Sequence, residues 1–187
     1  RSGCMAKDAD MILSEFILLG IGGKELSEEN AAQTAKALNI IQPDFIRVHA
    51  TGIKLESKLG EFVRDGSFTL QSEEEIVIEQ KLFLQQLHEM DSYYVNEHIV
   101  NLLLEVRGNL RTEKQEMLST IDRFLTLPPD ERLLFTVGRR LNIFFRLDDL
   151  KKPKLHQKAG ESLQQILSKN PHVDFAALCN YVRQSQI

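Results

Sequence analysis

Residues Ile12 to Glu25 read I-L-S-E-F-I-L-L-G-I-G-G-K-E, and the reading of this stretch decides the fold class. Phe16, Ile17, Leu18 and Leu19 form a continuous apolar run, the pattern of a strand buried on both faces in a parallel sheet. Gly20, Gly22 and Gly23 then form a turn whose main chain, lacking Cβ atoms, a ligand can approach. Ser27 is placed as the N-cap of the next helix, with Glu28 and Glu29 in its first turn. Strand, glycine-rich turn and helix N-terminus make the unit in which α/β proteins hold ligands. The same glycines equally serve a plain tight turn.

Working outward, Ser27 to Asn39 is predicted helical, with Ala31, Ala32, Ala35 and Leu38 on its apolar side. Pro43 stops the helix, and Phe45 to His49 reads as a second strand. The two strands and their helix form a βαβ unit, parallel with a right-handed crossover. Upstream, Gly3 to Asp10 reads as the tail of a helix. Downstream, Thr51 to Ser72 is a long loop with a short helix around Leu55 to Arg64. Ser72 and Glu75 form a capping box that opens a helix to about Met90. Ile76, Phe83, Leu87 and Met90 are its inward residues; Glu79, Lys81, Gln85 and Glu89 are assigned to solvent. Ser92 to Val95 follows as a short strand.

Beyond Leu104 the pattern turns helical. Thr112 to Gln115 reads as a capping box for a helix with Met117, Ile121, Phe124 and Leu125 inward. Pro128 and Pro129 break it and start another, carrying Leu133, Leu134, Val137 and Leu141. Pro153 and Asn170-Pro171 punctuate two more. The expectation is an α/β region over residues 1–104 and a helical region over 105–187, with no strong linker between them.

Composition sets the outer limits. The chain has 187 residues, 42% hydrophobic, enough for a substantial core. No apolar run approaches the roughly 20 residues that span a bilayer. The N-terminus R-S-G-C-M-A-K-D shows no signal-peptide pattern. Cys4 and Cys179 lie far apart in sequence, so neither a zinc motif nor a disulfide framework is implied, and a reducing, cytoplasmic setting is expected. A net charge of -4 disfavours a wholesale nucleic-acid binder. The chain begins without methionine, on an apparent helix already under way, and is expected to be a fragment of something longer.

The segment from Ile12 to about Asn101 resembles the closing part of the partial (β/α) barrel of radical S-adenosylmethionine enzymes. The resemblance is carried by F-I-L-L-G-I-G-G-K-E, the helix from Ser27, and P-D-F-I-R-V. In that family the fifth barrel strand ends in a turn such as G-x-P-G-E-T or G-L-G-E, and an apolar sixth strand follows, preceded by Asp. Within the family the chain is most similar to an uncharacterised bacterial group of radical-SAM iron–sulfur oxidoreductases. The shared features are L-L-G-I-G-G-K-E, the Asp-Phe-Ile-Arg strand and an N-E-H-I-V-N-like stretch at Asn96 to Asn101. The resemblance covers about half the chain. It implies the closing βα units of a partial (β/α)6 barrel with parallel strands, followed by an all-helical extension.

The resemblance also implies a cofactor. In the full-length enzyme, S-adenosylmethionine and a [4Fe–4S] cluster would be bound, and this chain would supply the adenosine side. Leu18, Gly20 and Ile21, with Gly22 and Gly23 in the turn, would pack against the adenine. Backbone groups near Val48 and His49 would meet its edge. By its residue type Leu18 reads first as a core residue. Several features depart from the family. Its C-x-x-x-C-x-x-C motif is absent, and two cysteines cannot supply the three thiolates that such a cluster needs. Where the family has R-P-G-T-P, this chain has His49-Ala50-Thr51-Gly52-Ile53. The family's turn glutamate falls at Gly23 or, with an insertion, at Glu25. The chain alone is therefore expected to hold no cofactor and to lack radical chemistry. Its partner would be the missing N-terminal half of the barrel, with self-association through exposed sheet edges when the fragment stands alone.

Other residues carry two readings each. His49, at a strand's C-terminal end, is either a functional or a capping histidine. Arg47 either pairs with a ligand carboxylate inside the barrel or forms a structural ion pair. Asn96, Glu97 and His98 would form a polar cluster at the barrel mouth, short of a metal site. Tyr93 and Tyr94 split by strand alternation into one surface and one core residue. Arg139 to Lys158 holds seven Lys/Arg against two Asp, either an acidic-partner surface or a solvated face. Two other functions stay open. One is a phosphate-binding (β/α) barrel piece using Gly20, Gly22, Gly23 and the Ser27 helix N-terminus, against which Glu28 and Glu29 weigh. The other is a non-enzymatic interaction module built on the helical half.

Overall fold

The computed structural model describes residues 1–186. Helix α1 (Ser2–Asp8) leads into β1 (Ser14–Leu19), then α2 (Ser27–Ile41) and β2 (Phe45–Ala50). Next come α3 (Lys58–Asp65), α4 (Glu73–Gln86), β3 (Tyr93–Val95) and β4 (Gly108–Asn109). Helices α5 (Lys114–Leu125) and α6 (Pro129–Arg140), a 3₁₀ turn (Leu147–Lys151), α7 (Pro153–Lys169) and α8 (Phe175–Gln184) follow.

The strands form one open sheet in the order β1-β2-β3-β4. β1 runs parallel to β2, and β2 parallel to β3, as expected from the βαβ pattern. β4 pairs antiparallel with β3 and lies in the stretch assigned to helices. Two residues long, it has no periodicity to read. Its pairing places Gly108 opposite Tyr94.

Strand alternation gives the sheet two unlike faces. Ile17, Leu19, Ile46, Val48, Ala50 and Tyr94 are buried in one hydrophobic core. That core also takes Ala31, Ala35 and Leu38 of α2 and Ile76, Phe83 and Leu84 of α4. On the other face Phe16 and Leu18 remain 64% and 47% exposed, and Arg47 and His49 are half-buried. The reading of β1 as buried on both faces is thus corrected. It is an edge strand covered on one side, because the helices pack on a single face.

Local chemistry explains where α4 begins and ends. The Ser72 hydroxyl accepts from the Glu75 amide while Glu75 accepts from the Ser72 amide, the expected capping box. The helix stops at Gln86 rather than Met90. Asn39 of α2 donates to the Gln86 carbonyl at 2.9 Å and accepts from the His88 amide at 2.8 Å. Lys114 donates to the Leu87 carbonyl at 2.5 Å. Partners from two other elements thus satisfy the helix end early. Two expected caps are replaced. α2 begins at Ser27 itself, with Leu26 preceding it. α5 starts at Lys114 because the Asn109 side chain accepts from the Arg111 amide and draws that stretch into a turn.

The helices of the second half share the same core. Phe135 lies between Phe124 and Phe144, with centroids 5.8 and 5.9 Å away. Gly138 of α6 makes this stack possible, because a Cβ there would lie 2.4 Å from the Phe144 ring. Gly138→Ala is expected to cost about 1–3 kcal/mol by overpacking. Gly160→Ala, in α7 with open space around it, should gain about 0.5–1 kcal/mol of helix propensity. Urea unfolding midpoints should therefore move in opposite directions; a shared direction would remove Phe144 as the cause.

Candidate functional site

The parallel strands end at the Gly20 turn, at Ala50-Thr51 and at Asn96. Gly20 has φ +83° and Gly23 φ +62°, conformations that favour glycine. Gly22 has no positive φ; a Cβ there would lie 2.9 Å from the Leu26 carbonyl oxygen. The turn is pinned from below by Glu79. Its carboxylate accepts from the Gly20 amide at 3.1 Å, the Ser27 hydroxyl at 2.9 Å and Asn30 Nδ2 at 2.7 Å. Glu79 is fully buried, which corrects its assignment to solvent. It lies three residues after Ile76, on the inward side of α4, and three donors offset the cost of burying its charge.

Leu18 and His49 are direct neighbours across β1 and β2, and both belong to the uncovered face. Ile21 is partly exposed at the turn. Val48 is placed differently. Its side chain is in the core, and its carbonyl accepts from Asn101 Nδ2 at 2.7 Å. The Ala50 amide donates to Asn101 Oδ1 at 2.7 Å. One asparagine side chain thus stands in for the strand residue that would extend β3 beside β2. The backbone edge expected near Val48 is therefore already engaged.

His49 lies at the centre of an aromatic row. The Phe16 ring meets it edge-on at 5.4 Å, and the His98 ring stacks on it at 4.2 Å. The expected Asn96–His98 cluster divides into three roles. Asn96 is buried and donates to the Leu103 carbonyl at 2.6 Å. Glu97 pairs with Arg107. Only His98 reaches the open face. Burial, then the neighbouring His98 and Arg47, hold the His49 pKa below its ordinary value.

That shift sets a pH dependence. With the folded pKa depressed, the unfolded chain takes up the proton first as pH falls. Stability is then complete above the unfolded value of about 6.5 and is lost as pH falls through the lower folded value. Imidazole resonances should show His49 titrating below 6.5, and His49→Gln should flatten the stability profile across that interval. An ordinary titration at His49 would contradict the packing described.

Arg47 lies on the same face, opposite Phe16 in the β1–β2 register. Its Nε donates to Ser14 Oγ at 3.1 Å, and its guanidinium carbon lies 6.0 Å from the Phe45 ring centroid. Among the described residues it forms no ion pair, so the structural-pair reading has no partner here.

A buried polar cluster around Glu73 gave no signal in the sequence. Glu73 of α4 accepts from Arg140 of α6 and Arg183 of α8, and all three side chains are buried. Arg183 Nε also donates to the Thr51 carbonyl at 3.0 Å, and Asn180 clasps the backbone of Ile53. Arg139 Nη2 donates to the Ile99 carbonyl at 3.0 Å. Burial opposes the Glu73 charge, but the two guanidiniums overcome it and hold the carboxyl below its ordinary value. Two of the seven cations in the basic stretch are thus spent inside the protein, leaving a weaker surface patch than the sequence counts.

The cysteines do not form a cluster site. Burial, followed by the Glu73 charge, pushes the Cys179 thiol up to about 12, so the buried side chain stays a neutral thiol at neutral pH. Among the described residues no group of three or more His, Cys, Asp or Glu is placed to hold a metal ion. No described helix is long and apolar enough to cross a membrane. A cleft of about 510 Å³ in the helical half, lined by Leu127, Leu147, Leu150 and the Glu131–His156 pair, includes none of the predicted site residues. Compared with known protein families, curated proteins and solved structures, the chain matches none.

Proposed function

We propose that this chain supplies the closing βα units of a partial (β/α) barrel in a radical S-adenosylmethionine iron–sulfur oxidoreductase. In this reading it holds the adenosine side of the cofactor, and the cluster thiolates come from the N-terminal half of the barrel. The observation that carries the reading is the two-faced sheet. Helices cover one face of three parallel strands, and the bare face presents Leu18 and His49 beside the Gly20 turn at the strands' carboxyl ends. A barrel wall has this form: helices outside, ligand side within. The residues suit an adenosine. Leu18 and Ile21 offer apolar contact and His49 a flat ring; Gly20 supplies the φ +83° turn beside them, where a Cβ would meet Gln71 and Ile76 at 3.2 and 3.5 Å. When bound, S-adenosylmethionine supplies the radical chemistry. This chain's residues only seat it. The chain's own cysteines do not suit the cluster, and no step is assigned to them.

Among the described residues no strand pairs with the outer edge of β1, and there the strands of the other half, or a second copy of this chain, would add. The phosphate reading is less well supported. Glu79 already occupies the Gly20 amide, and its charge, with Glu28 and Glu29, would repel an anion at the turn.

The test uses a protein that also carries an upstream three-cysteine motif, whose presence in the gene before Arg1 is the first check. Gly20→Val forces a β-branched residue into φ +83°, a strain of about 1–3 kcal/mol. Leu38→Ala removes a core side chain from α2. Both should lower stability. Only Gly20→Val should raise the dissociation constant for S-adenosylmethionine, measured well below either unfolding temperature. Equal affinity in the two variants would remove the cofactor from this turn.

A further inference from the structure

We propose that the open face of the sheet binds a flat apolar ligand carrying a carboxylate or similar anion, with the Arg47 guanidinium as its anchor. The proposal rests on the barrel reading for its biological meaning and names the substrate class that the same wall would receive. The place adjoins the adenosine contacts and shares His49 with them. Arg47 lies opposite Phe16, one step deeper along the strands than the Leu18–His49 pair.

Three observations converge. The first is charge. The open-face positions of β1 and β2 are Ser14, Phe16, Leu18, Phe45, Arg47 and His49, and β3 adds a tyrosine and a valine. None is acidic. The acidic residue just beyond β3, Glu97, is already engaged by Arg107. Among the described residues Arg47 is therefore a lone cation on this face, and the further acids Glu105 and Glu113, beside Tyr93, share their cleft with Arg107 and Arg146, in a chain whose net charge is -4. The second is the unfilled hydrogen-bonding fork of Arg47. Its Nε is held by Ser14, which fixes the guanidinium plane, and among the described residues neither Nη nitrogen has a protein partner. A guanidinium fixed at one nitrogen and free at the other two suits a carboxylate, which binds such a fork through both oxygens. The third is the aromatic surround. Phe16, His49 and His98 form a continuous row, and Phe45 lies beneath the guanidinium. Flat ligands find stacking surface there, and the imidazoles add hydrogen-bonding atoms.

The chain contains no tryptophan, so a naphthalene probe can be followed by its own fluorescence. The experiment titrates the full chain with 2-naphthoate and with its uncharged counterpart, 2-naphthalenemethanol. The expected result is at least about tenfold tighter binding of the anion, the range of a charge-assisted hydrogen bond. Arg47→Gln should abolish that preference and leave 2-naphthalenemethanol within about twofold. Arg47→Lys, which keeps the charge but loses the fork, should fall between. Of the five histidines, only His49 and His98 should shift in imidazole spectra as naphthoate is added. Equal affinity for both probes, no effect of Arg47→Gln, or shifts at His156 instead would each overturn the proposal. Failure here leaves the barrel reading standing, because the Gly20→Val comparison tests that reading without Arg47.

Discussion

Glu73→Gln is expected to lower the unfolding free energy by about 3–5 kcal/mol, the cost of stranding buried charges without their partner. Glu73 is 4% exposed and is the shared acceptor of Arg140 and Arg183, themselves buried. Glutamine keeps the volume but not the charge, so two guanidiniums would remain in the core facing a neutral amide. The thermal midpoint should fall on the order of 10 °C for a chain of this size. Glu74→Gln is the matched control. Glu74 pairs with Arg132 at 3.0 Å but is 43% exposed, and its loss should cost about 0–1 kcal/mol. The acid limb of the stability curve gives a second readout. Because the folded Glu73 pKa is depressed, its contribution is present above the unfolded value of about 4.3 and disappears as pH falls through the folded value. Wild type should lose stability over that interval more steeply than Glu73→Gln. Similar costs for the two variants would mean that water, not protein, surrounds the cluster.

Asn101→Ala should cost about 2–5 kcal/mol and should disturb the open face as well as the core. Its amide serves the Val48 carbonyl, the Ala50 amide and Asn96 Oδ1 at once. Alanine would leave buried groups of β2 unpaired, each worth about 1–3 kcal/mol in lost compensation. Hydrogen exchange at the Ala50 amide should accelerate well beyond its neighbours within β2. His98, three residues earlier in the same loop, should lose its stacking on His49, seen as a changed imidazole shift. Unchanged exchange at Ala50 would mean that water replaces the asparagine without loss.

The sequence revealed the parallel strands and their order through local signals: apolar runs at Phe16 and Phe45, the Pro43 stop, the Ser72 box. Such signals lie within a few residues of one another, so a linear reading collects them. The residues that close the site signal differently. Glu79 is an ordinary helix glutamate until its three donors, from the Gly20 turn and α2, are seen. Asn101 has a strand-like role without strand residues around it. Glu73 meets Arg183 across 110 positions, and nothing local marks either as buried. β4 owes its existence to its partner β3. Leu18 and His49 were placed on one site by resemblance and are neighbours by register. Phe16, read as core, is their exposed companion, because a continuous apolar run does not say which face is covered.

The α8 contacts also bear on how the protein is made. Asn180 joins Ile53, and Arg183 joins Thr51, across 127 and 132 positions. Contacts of that span demand costly loop closure and slow the final stage of folding. Ribosomes extend a chain by about 5–20 residues per second. The carboxyl edge of β2 is therefore translated on the order of ten seconds before the helix that clasps it. Through that interval Thr51 and Ile53, just past the end of β2, wait without the Arg183 and Asn180 side chains that close on their backbone. The carboxyl end of the sheet, where the candidate site lies, is therefore the part of this fold that is finished last.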